Sequence, residues 1–321
     1  MSSLKKPQNQ SLGDIYSYAV FALSRHRYLC SLHSDIVPVP HDWQRDIVES
    51  TAKRKLVNGA RQSGKSAVIS VVPCHGARFF PKSLHIIIAP NEKQAGEDMG
   101  KVKSFIAHDN AYPEIVRYSE SEIELVNGSR IIIVPATETA ARGYSKPRTI
   151  ILDEASRIPD IVYKSGVIPM LTNNPDCELI AISTPNGKGG FFYKAMQNAL
   201  WERYEVRSPW DVSEDGWGLV EAIAEAEYVA KMKARNVKAY YSPQHFDLKE
   251  QMFNLGEMGR DMYKQEYCCE FVEPNEQAFS YSEIEHMFKN TIKPLDFSVP
   301  DAEPLDISGF GNNLSFGYGK I

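Results

Sequence analysis

Short apolar runs alternate with longer segments of mixed polar and apolar residues up to about Glu205. A run such as His85–Ala89 is apolar on both faces, as a strand buried between two layers of helices must be. This alternation predicts an α/β domain with a mainly parallel sheet flanked by helices. The predicted strands are Lys55–Asn58, Leu84–Ala89, Arg130–Pro135, Thr149–Asp153 and Glu178–Thr184.

Asn127-Gly128 separates two further strand-like runs, Ser121–Val126 and Ser129–Val134. An Asn-Gly pair readily adopts the left-handed backbone angles of a type I′ turn, which joins antiparallel strands. We therefore expect a local hairpin attached to the otherwise parallel sheet.

After about Glu205 the pattern changes. Leu219–Arg235 is rich in Ala, Glu and Lys and predicts a helix, Phe246–Glu266 predicts one or two more, and Tyr267–Val272 predicts a short strand. We expect a small, mostly helical lid subdomain here. The predicted organisation is an N-terminal helical extension at 1–39, a core at 40–205, the lid and linker at 206–275, and at 276–321 a second linker with the truncated start of a further domain.

Composition sets limits without indicating a function. The 321 residues are 43% hydrophobic and 24% charged, with a net charge of −5. These values are typical of a globular protein and leave nucleic acid open as a partner, because an acidic chain can hold DNA on a local basic face. No apolar run is long enough for a membrane span, and the polar N-terminus lacks the apolar segment of a secretion signal. The five cysteines form no CxxC pair, so we expect reduced thiols in a cytosolic setting.

A phosphate-binding loop follows the first predicted strand and matches G-x-x-x-x-G-K-[ST] without a departure. Glycines let backbone N–H groups curl around phosphates, and the following helix adds positive potential. Lys65 would contact the β- and γ-phosphates of ATP, and the Ser66 hydroxyl would bind Mg²⁺. The loop residues are Gly59, Ala60, Arg61, Gln62, Ser63, Gly64, Lys65 and Ser66.

Two carboxylates, Asp153 and Glu154, end the apolar run Thr149–Asp153. Asp153 would hold Mg²⁺, and Glu154 would orient and deprotonate the attacking water. The plainer alternative is an acid pair at the start of the next helix. With the glycine-rich loop, the pair favours a P-loop NTPase of the RecA-like (ASCE) class that hydrolyses ATP.

These motifs, in this order, resemble the large subunit of terminases, the DNA-packaging motors of tailed phages and prophages. The resemblance covers Pro40–Phe279. Besides the two motifs above, it rests on His41–Gln44, Ala89–Ala95, Ala141–Ser145, Ile182–Gly187 and Arg260–Phe271.

The resemblance implies roles for five further positions. Arg61 would stabilise charge on the γ-phosphate, or it would only pair with a local acid. Gln44 would recognise adenine, or its helix start would only pack a core tryptophan. Arg142 would act as a second arginine finger, on its own or a neighbouring subunit, or lie in solvent. Ser183 and Thr184 would sense the γ-phosphate, or form a turn leaving the sheet.

The resemblance also implies the function and its partners. Hydrolysis of ATP with Mg²⁺ would translocate double-stranded DNA into a procapsid, through phosphate contacts largely independent of sequence. The expected partners are the terminase small subunit, the portal protein and further copies of this chain in a homo-oligomeric ring. The expected location is the bacterial host cytoplasm and, transiently, the procapsid portal. Two alternatives stay open: a superfamily 2-like helicase or translocase, and a prophage remnant that binds ATP without packaging.

Family members continue into an RNase H-like nuclease, whose chemistry requires several carboxylates around two metal ions. The comparable segment, Leu314–Ile321, has no acid near Gly319. Asp301, Glu303 and Asp306 are too few for such a centre. We therefore expect no nuclease activity from this chain.

Overall fold

The computed structural model of the chain describes residues 21, 24–31, 40–140, 142–213, 218–246 and 259–273. The chain divides into two compact units, residues 1–276 and 277–321, and all described residues belong to the first. The predicted linker at 276–321, and with it the expectation about a nuclease, lies outside the described residues. Within the predicted extension at 1–39, the described part includes one helix, α1 (Arg25–Ser31).

One large sheet forms the centre of the described structure. Nine strands pair in the order β11-β8-β1-β7-β6-β2-β5-β4-β3, and two more, β9 and β10, pair separately. Pairing is parallel from β11 to β5 and antiparallel in β5-β4-β3. The strands are β1 (Arg54–Gly59), β2 (Leu84–Ala89), β3 (Ile115–Tyr118), β4 (Glu122–Leu125), β5 (Arg130–Pro135), β6 (Thr149–Asp153), β7 (Glu178–Ser183), β8 (Glu202–Arg207), β9 (Trp210–Val212), β10 (Leu219–Glu221) and β11 (Val237–Tyr241).

Helices cover both faces of the sheet. Among the described helices, none is long and apolar enough to cross a membrane. After α1 they are α2 (Asp42–Glu49), α3 (Lys65–Phe79), α4 (Glu92–Ala107), α5 (Asp160–Val162), α6 (Ile168–Thr172), α7 (Gly190–Gln197), α8 (Glu225–Ala234) and α9 (Arg260–Cys268), with a π-helical turn, Tyr163–Val167, between α5 and α6.

The sheet separates two apolar cores. Helices α1 to α4 pack on one face and α5 to α8 on the other. Neighbouring strand residues point to opposite cores: Val57 belongs to the first and Leu56 to the second. This burial on both faces is why the strand sequences are apolar throughout.

The five strands predicted from the sequence are present, with ends that differ by at most one residue. The hairpin is also present, with Ile123 opposite Ile131 in antiparallel register. Its turn differs from the expected type I′. Of Asn127-Gly128, only Gly128 has a positive φ, 79°, and its N–H donates to the Leu125 oxygen at 2.8 Å. A three-residue connection needs the left-handed angle only at its last position, which glycine supplies.

The sheet extends further along the chain than the change of pattern suggested. Strand β8 crosses the expected boundary between core and lid, and β11 pairs in parallel with β8. The described residues between 206 and 273 therefore contain more strand than expected, although the domain boundaries themselves stay predictions. Of the predicted helical segment Phe246–Glu266, residues 247–258 lie outside the described residues.

The predicted strand at Tyr267–Val272 is wrong. Helix α9 continues to Cys268, and Cys269 ends it with a left-handed φ of 60°. Tyr263 and Tyr267 are one helical turn apart, and their buried rings stack with centroids separated by 5.2 Å. This packing outweighs the strand propensity of the Tyr-Cys-Cys run.

Buried charges hold α1 at the amino end of the sheet. The ammonium of Lys55 lies 2.7 Å from Glu178, and the guanidinium of Arg25 lies 2.6 Å from the same carboxylate. Burial alone would raise the pKa of Glu178, but the two cations hold it at about 2. The carboxylate thus stays charged inside the protein and ties α1 to β1 and β7.

Helix α3 approaches β2 most closely at Gly76. A Cβ atom at this position would lie 2.1 Å from Cε1 of the buried His85 ring. Replacement Gly76→Ala is therefore expected to lower the free energy of unfolding by about 1–3 kcal/mol, because neither helix nor ring can move aside freely. Denaturant unfolding measures the change.

The matched control is Gly100→Ala in α4, where no neighbouring atom lies within 4 Å of the added Cβ. That variant should gain about 0.5–1 kcal/mol from the helix propensity of alanine. Equal effects of the two substitutions would contradict the packing argument.

Candidate active site

Three strand ends meet at one edge of the sheet. In the parallel register, Asn58 of β1 lies opposite Ser183 of β7, and Asp153 of β6 lies opposite Ile182. Crevices in open parallel sheets form beyond the carboxyl ends of the strands. The glycine-rich loop, the acids and the hydroxyls therefore meet at the same cleft.

The loop after β1 leads directly into α3, which begins at Lys65. Gly64 and Gln62 have positive φ angles of 88° and 55°, which turn the backbone tightly. The first N–H groups of α3 have no acceptor inside the helix and carry the positive end of its dipole, so they favour an anion. The Lys65 ammonium donates to the Gly59 and Ala60 oxygens at 3.0 and 2.9 Å. Burial lowers the pKa of this ammonium, and Glu154 partly opposes the change.

Backbone groups from distant segments hold the loop. The Ala60 N–H donates to the Val206 oxygen at 2.8 Å, and the Arg61 N–H donates to the Glu266 oxygen at 2.9 Å. Within the loop, the buried Ser63 hydroxyl donates to the Ala60 oxygen at 2.8 Å. The loop is thus bound to β8 and α9 as well as to its own strand.

Gln44 of α2 braces the loop from behind. Its amide nitrogen donates to the Gly64 oxygen at 2.7 Å, and its amide oxygen accepts from the His41 N–H at 2.8 Å. A Cβ at Gly64 would lie 2.6 Å from that nitrogen, so the position requires glycine. This geometry differs from the adenine-recognition role expected for Gln44, because both ends of the amide are engaged within the protein.

The Arg61 side chain pairs with a local acid. Its Nε lies 2.6 Å from the buried Glu266 carboxylate, whose other oxygen lies 3.9 Å from Arg157. The hydrogen bond to Glu266 raises the pKa of the guanidinium. Pairing with a local acid, one of the two roles considered for Arg61, is therefore present. The exposed part of the Arg61 side chain still lines the cleft.

Glu154 has a strained backbone, with φ 45° and ψ 47°. A non-glycine residue adopts these angles only where its surroundings compensate, often at functional sites. The Ser183 hydroxyl donates to the Glu154 carboxylate at 3.3 Å and lies 2.7 Å from the Ser156 hydroxyl. The Ser183 hydroxyl thus orients the carboxylate, and Ser156 contacts that hydroxyl in turn.

Asp153 is buried against another carboxylate. Burial, together with the charges of the neighbouring Asp98 and Glu154, raises its pKa to about 8. The Gln94 amide donates to the Asp153 carboxylate at 3.1 Å. Three carboxyl groups are thus crowded together, and a bound cation would relieve their mutual repulsion.

The cleft at this edge has a volume of about 610 Å³. Most of the predicted site residues line it. Gly59, Ala60 and Gln44 do not, and Ser183 lies buried against Glu154. Its lining comprises Arg61, Gln62, Ser63, Gly64, Lys65, Ser66, Gln94, Lys101, Asp153, Glu154, Arg157, Thr184, Gln244 and Tyr267.

Arg142 lies apart from the cleft lining in the described structure. Its guanidinium lies 3.0 Å from Glu138 on the same loop, and the side chain is 55% exposed. This placement leaves Arg142 free to meet another molecule but excludes contact with its own cleft in this conformation.

Five cleft residues were not predicted from the sequence, namely Gln94, Lys101, Arg157, Gln244 and Tyr267. The first two follow a helical periodicity, since Gln94, Asp98 and Lys101 lie on one face of α4. That polar stripe was a usable signal. Gln244 and Tyr267 lie in segments for which no site residue was predicted.

A phosphate loop at β1 and an Asp-Glu pair at β6, with a hydroxyl-bearing strand between them, define the RecA-like class of P-loop ATPases. A family model described as terminase large subunit, T4likevirus-type, N-terminal, matches residues 56–286, well over half of the chain. The chain belongs to this family of terminase large subunits.

Individual relatives agree with this assignment. The terminase large subunit of Thermus phage G20c is 32% identical over 171 residues, which cover 48% of this chain and 35% of that protein. The chain thus spans well under two thirds of that relative. A variant of the large terminase ATPase domain of Thermus phage P74-26 shares the fold, with a TM-score of 0.55 and 23% identity over 74% of this chain and 99% of that one. A second structure of that domain gives a TM-score of 0.52 at 24% identity, covering 74% of this chain and 98% of that one.

The two roles of Gln44 predict different nucleotide preferences. If Gln44 braces the loop, Gln44→Leu should weaken binding of ATP and GTP alike, by roughly 5- to 30-fold, because the Gly64 oxygen loses its donor. If Gln44 recognises adenine, only ATP binding should weaken. Titration with fluorescent ATP and GTP analogues distinguishes the two, and exposed Arg45→Ala in the same helix is the control.

Proposed function

We propose that this chain is the ATP-hydrolysing motor part of a phage or prophage terminase and that it translocates double-stranded DNA into a procapsid. The observation that carries the proposal is the convergence of Lys65, Asp153 and Glu154 on one cleft in a chain of the terminase large subunit family. The phosphates of ATP would lie at the N-terminus of α3, against the loop N–H groups and Lys65.

Mg²⁺ fits the donor set formed by the Ser66 hydroxyl and the Asp153 carboxylate. Both supply the hard oxygen ligands that Mg²⁺ prefers, and the buried Asp153 lies close to the carboxyl groups of Asp98 and Glu154. When bound, Mg²⁺ neutralises phosphate charge.

The remaining chemistry belongs to side chains around the loop. Glu154, oriented by Ser183, would position the attacking water and accept its proton. Arg61 would stabilise the charge that develops on the γ-phosphate, while Glu266 fixes its Nε. Thr184 lines the cleft and would sense whether the γ-phosphate is present. These roles assign Glu154, Arg61 and Thr184 to steps in hydrolysis.

DNA stimulation and the macromolecular partners complete the proposal. Double-stranded DNA would be gripped through its phosphates, and the terminase small subunit and portal protein would complete the machine at the procapsid in the host cytoplasm. A homo-oligomeric ring would place the exposed Arg142 of one copy near the cleft of the next.

ATP hydrolysis by the purified chain, with and without DNA, tests the central claim. Glu154→Gln should bind ATP normally but hydrolyse it at least about 100-fold more slowly, because the general base is lost. Lys65→Ala should lose ATP binding itself. Exposed Glu227→Gln in α8 changes the same charge and should behave as the wild type.

Absence of hydrolysis in the wild type under both conditions would refute the proposal. ATP-dependent separation of a forked duplex would instead favour the helicase alternative.

Mixing of variants tests the role of Arg142. Arg142→Ala and Glu154→Gln should each be nearly inactive, but a mixture should regain part of the activity, because hybrid interfaces combine an intact arginine with an intact glutamate. Exposed Arg117→Ala should remain active. Full activity of Arg142→Ala would exclude the role, and an inactive mixture would place its action within its own subunit.

A further inference from the structure

The polar stripe on α4 reaches the cleft directly behind Asp153. One amide nitrogen, Nε2 of Gln94, lies 3.1 Å from Asp153 Oδ2 and 3.4 Å from Asp98 Oδ1. Both carboxylates therefore lie within reach of a single donor. Lys101 completes the stripe, with its ammonium 2.9 Å from the same Asp98 oxygen.

Asp98 is an unusual residue to bury. Its side chain is fully shielded from solvent, and its Oδ2 finds no N–H donor among the residues that the structure describes, while its carboxyl lies within hydrogen-bond reach of the Asp153 carboxyl. A carboxyl group is costly to bury, so a role in packing alone would not account for it. The contacts with Gln94 and Asp153 account for a carboxyl group at this position.

We propose that Asp98 and Gln94 are positioning residues for the Mg²⁺-binding carboxylate Asp153. Gln94 fixes the orientation of Asp153 by its hydrogen bond, and Asp98 both holds the Gln94 amide and adds negative charge behind Asp153. Lys101, which also lines the cleft, pairs with Asp98. The inference rests on the proposed function, since it assigns these residues to the same Mg²⁺-nucleotide site.

Removal of such outer partners usually weakens metal binding by roughly 10- to 100-fold. Asp98→Asn preserves the shape and removes the charge, and Gln94→Met preserves the length and removes the donor. For both variants of the full chain, the Mg²⁺ concentration that gives half-maximal binding of a fluorescent ATP analogue should rise by about tenfold or more. Binding of the same analogue in a chelator should not weaken, because the phosphate loop is untouched.

The matched control is Glu97→Gln, which makes the same charge change at the neighbouring exposed position of α4. It should leave the Mg²⁺ dependence at the wild-type value. Gln94 is only half-buried, so Gln94→Met keeps the test decisive if Asp98→Asn fails to fold.

The outcomes separate this inference from the proposed function. If nucleotide binding by the wild type does not depend on Mg²⁺, the proposed site itself is wrong. If the wild type depends on Mg²⁺ and both stripe variants match it, the positioning role is wrong. Equal weakening with and without Mg²⁺ would show a general structural defect and would also overturn the inference.

Discussion

Parallel pairing of β1 with β7 and of β7 with β6 places the loops that follow these three strands at one edge of the sheet. The polar and charged side chains of the three loops face one another there. Every chemical group of the cleft depends on this register. A shift of one residue would turn Asp153 or Ser183 from the edge into an apolar layer, where neither could be satisfied. The two cores prevent such a shift, because each strand buries alternate side chains on opposite faces.

Four reactive groups of the cleft have partners inside the protein. Lys65 donates to loop carbonyl oxygens, Asp153 accepts from Gln94, Glu154 accepts from Ser183, and Arg61 pairs with Glu266. These partners are weaker than a phosphate or a metal ion would be, yet they keep the side chains oriented. The cleft is therefore preorganised, and nucleotide binding would exchange internal contacts for stronger ones.

Local sequence patterns were sufficient for the strands that are buried on both faces and for the two motifs at their ends. They were insufficient to predict strands whose formation depends on tertiary contacts. Strand β8 contains charged residues, and its buried Arg203 donates to the Met196 and Arg235 oxygens, each at 2.9 Å. Strand β3 is exposed at all four positions. Neither has the apolar run by which the other strands were recognised.

In the candidate site, too, some features could be predicted from the sequence and others depend on tertiary contacts. Lys65, Ser66, Asp153 and Glu154 follow from motifs because the chemistry fixes their spacing along the chain. The bracing role of Gln44 and the pairing of Arg61 with Glu266 join residues far apart in sequence, which spacing cannot indicate.

The distant acceptors of the phosphate loop also govern when the loop can form. Ala60 and Arg61 donate to the Val206 and Glu266 oxygens, and the Asn58 amide donates to the Cys269 oxygen at 2.8 Å. During synthesis on the ribosome, those acceptors emerge long after the loop itself. A nascent chain therefore lacks a finished phosphate cradle until α9 has left the exit tunnel, which delays nucleotide capture until the surrounding fold is closed.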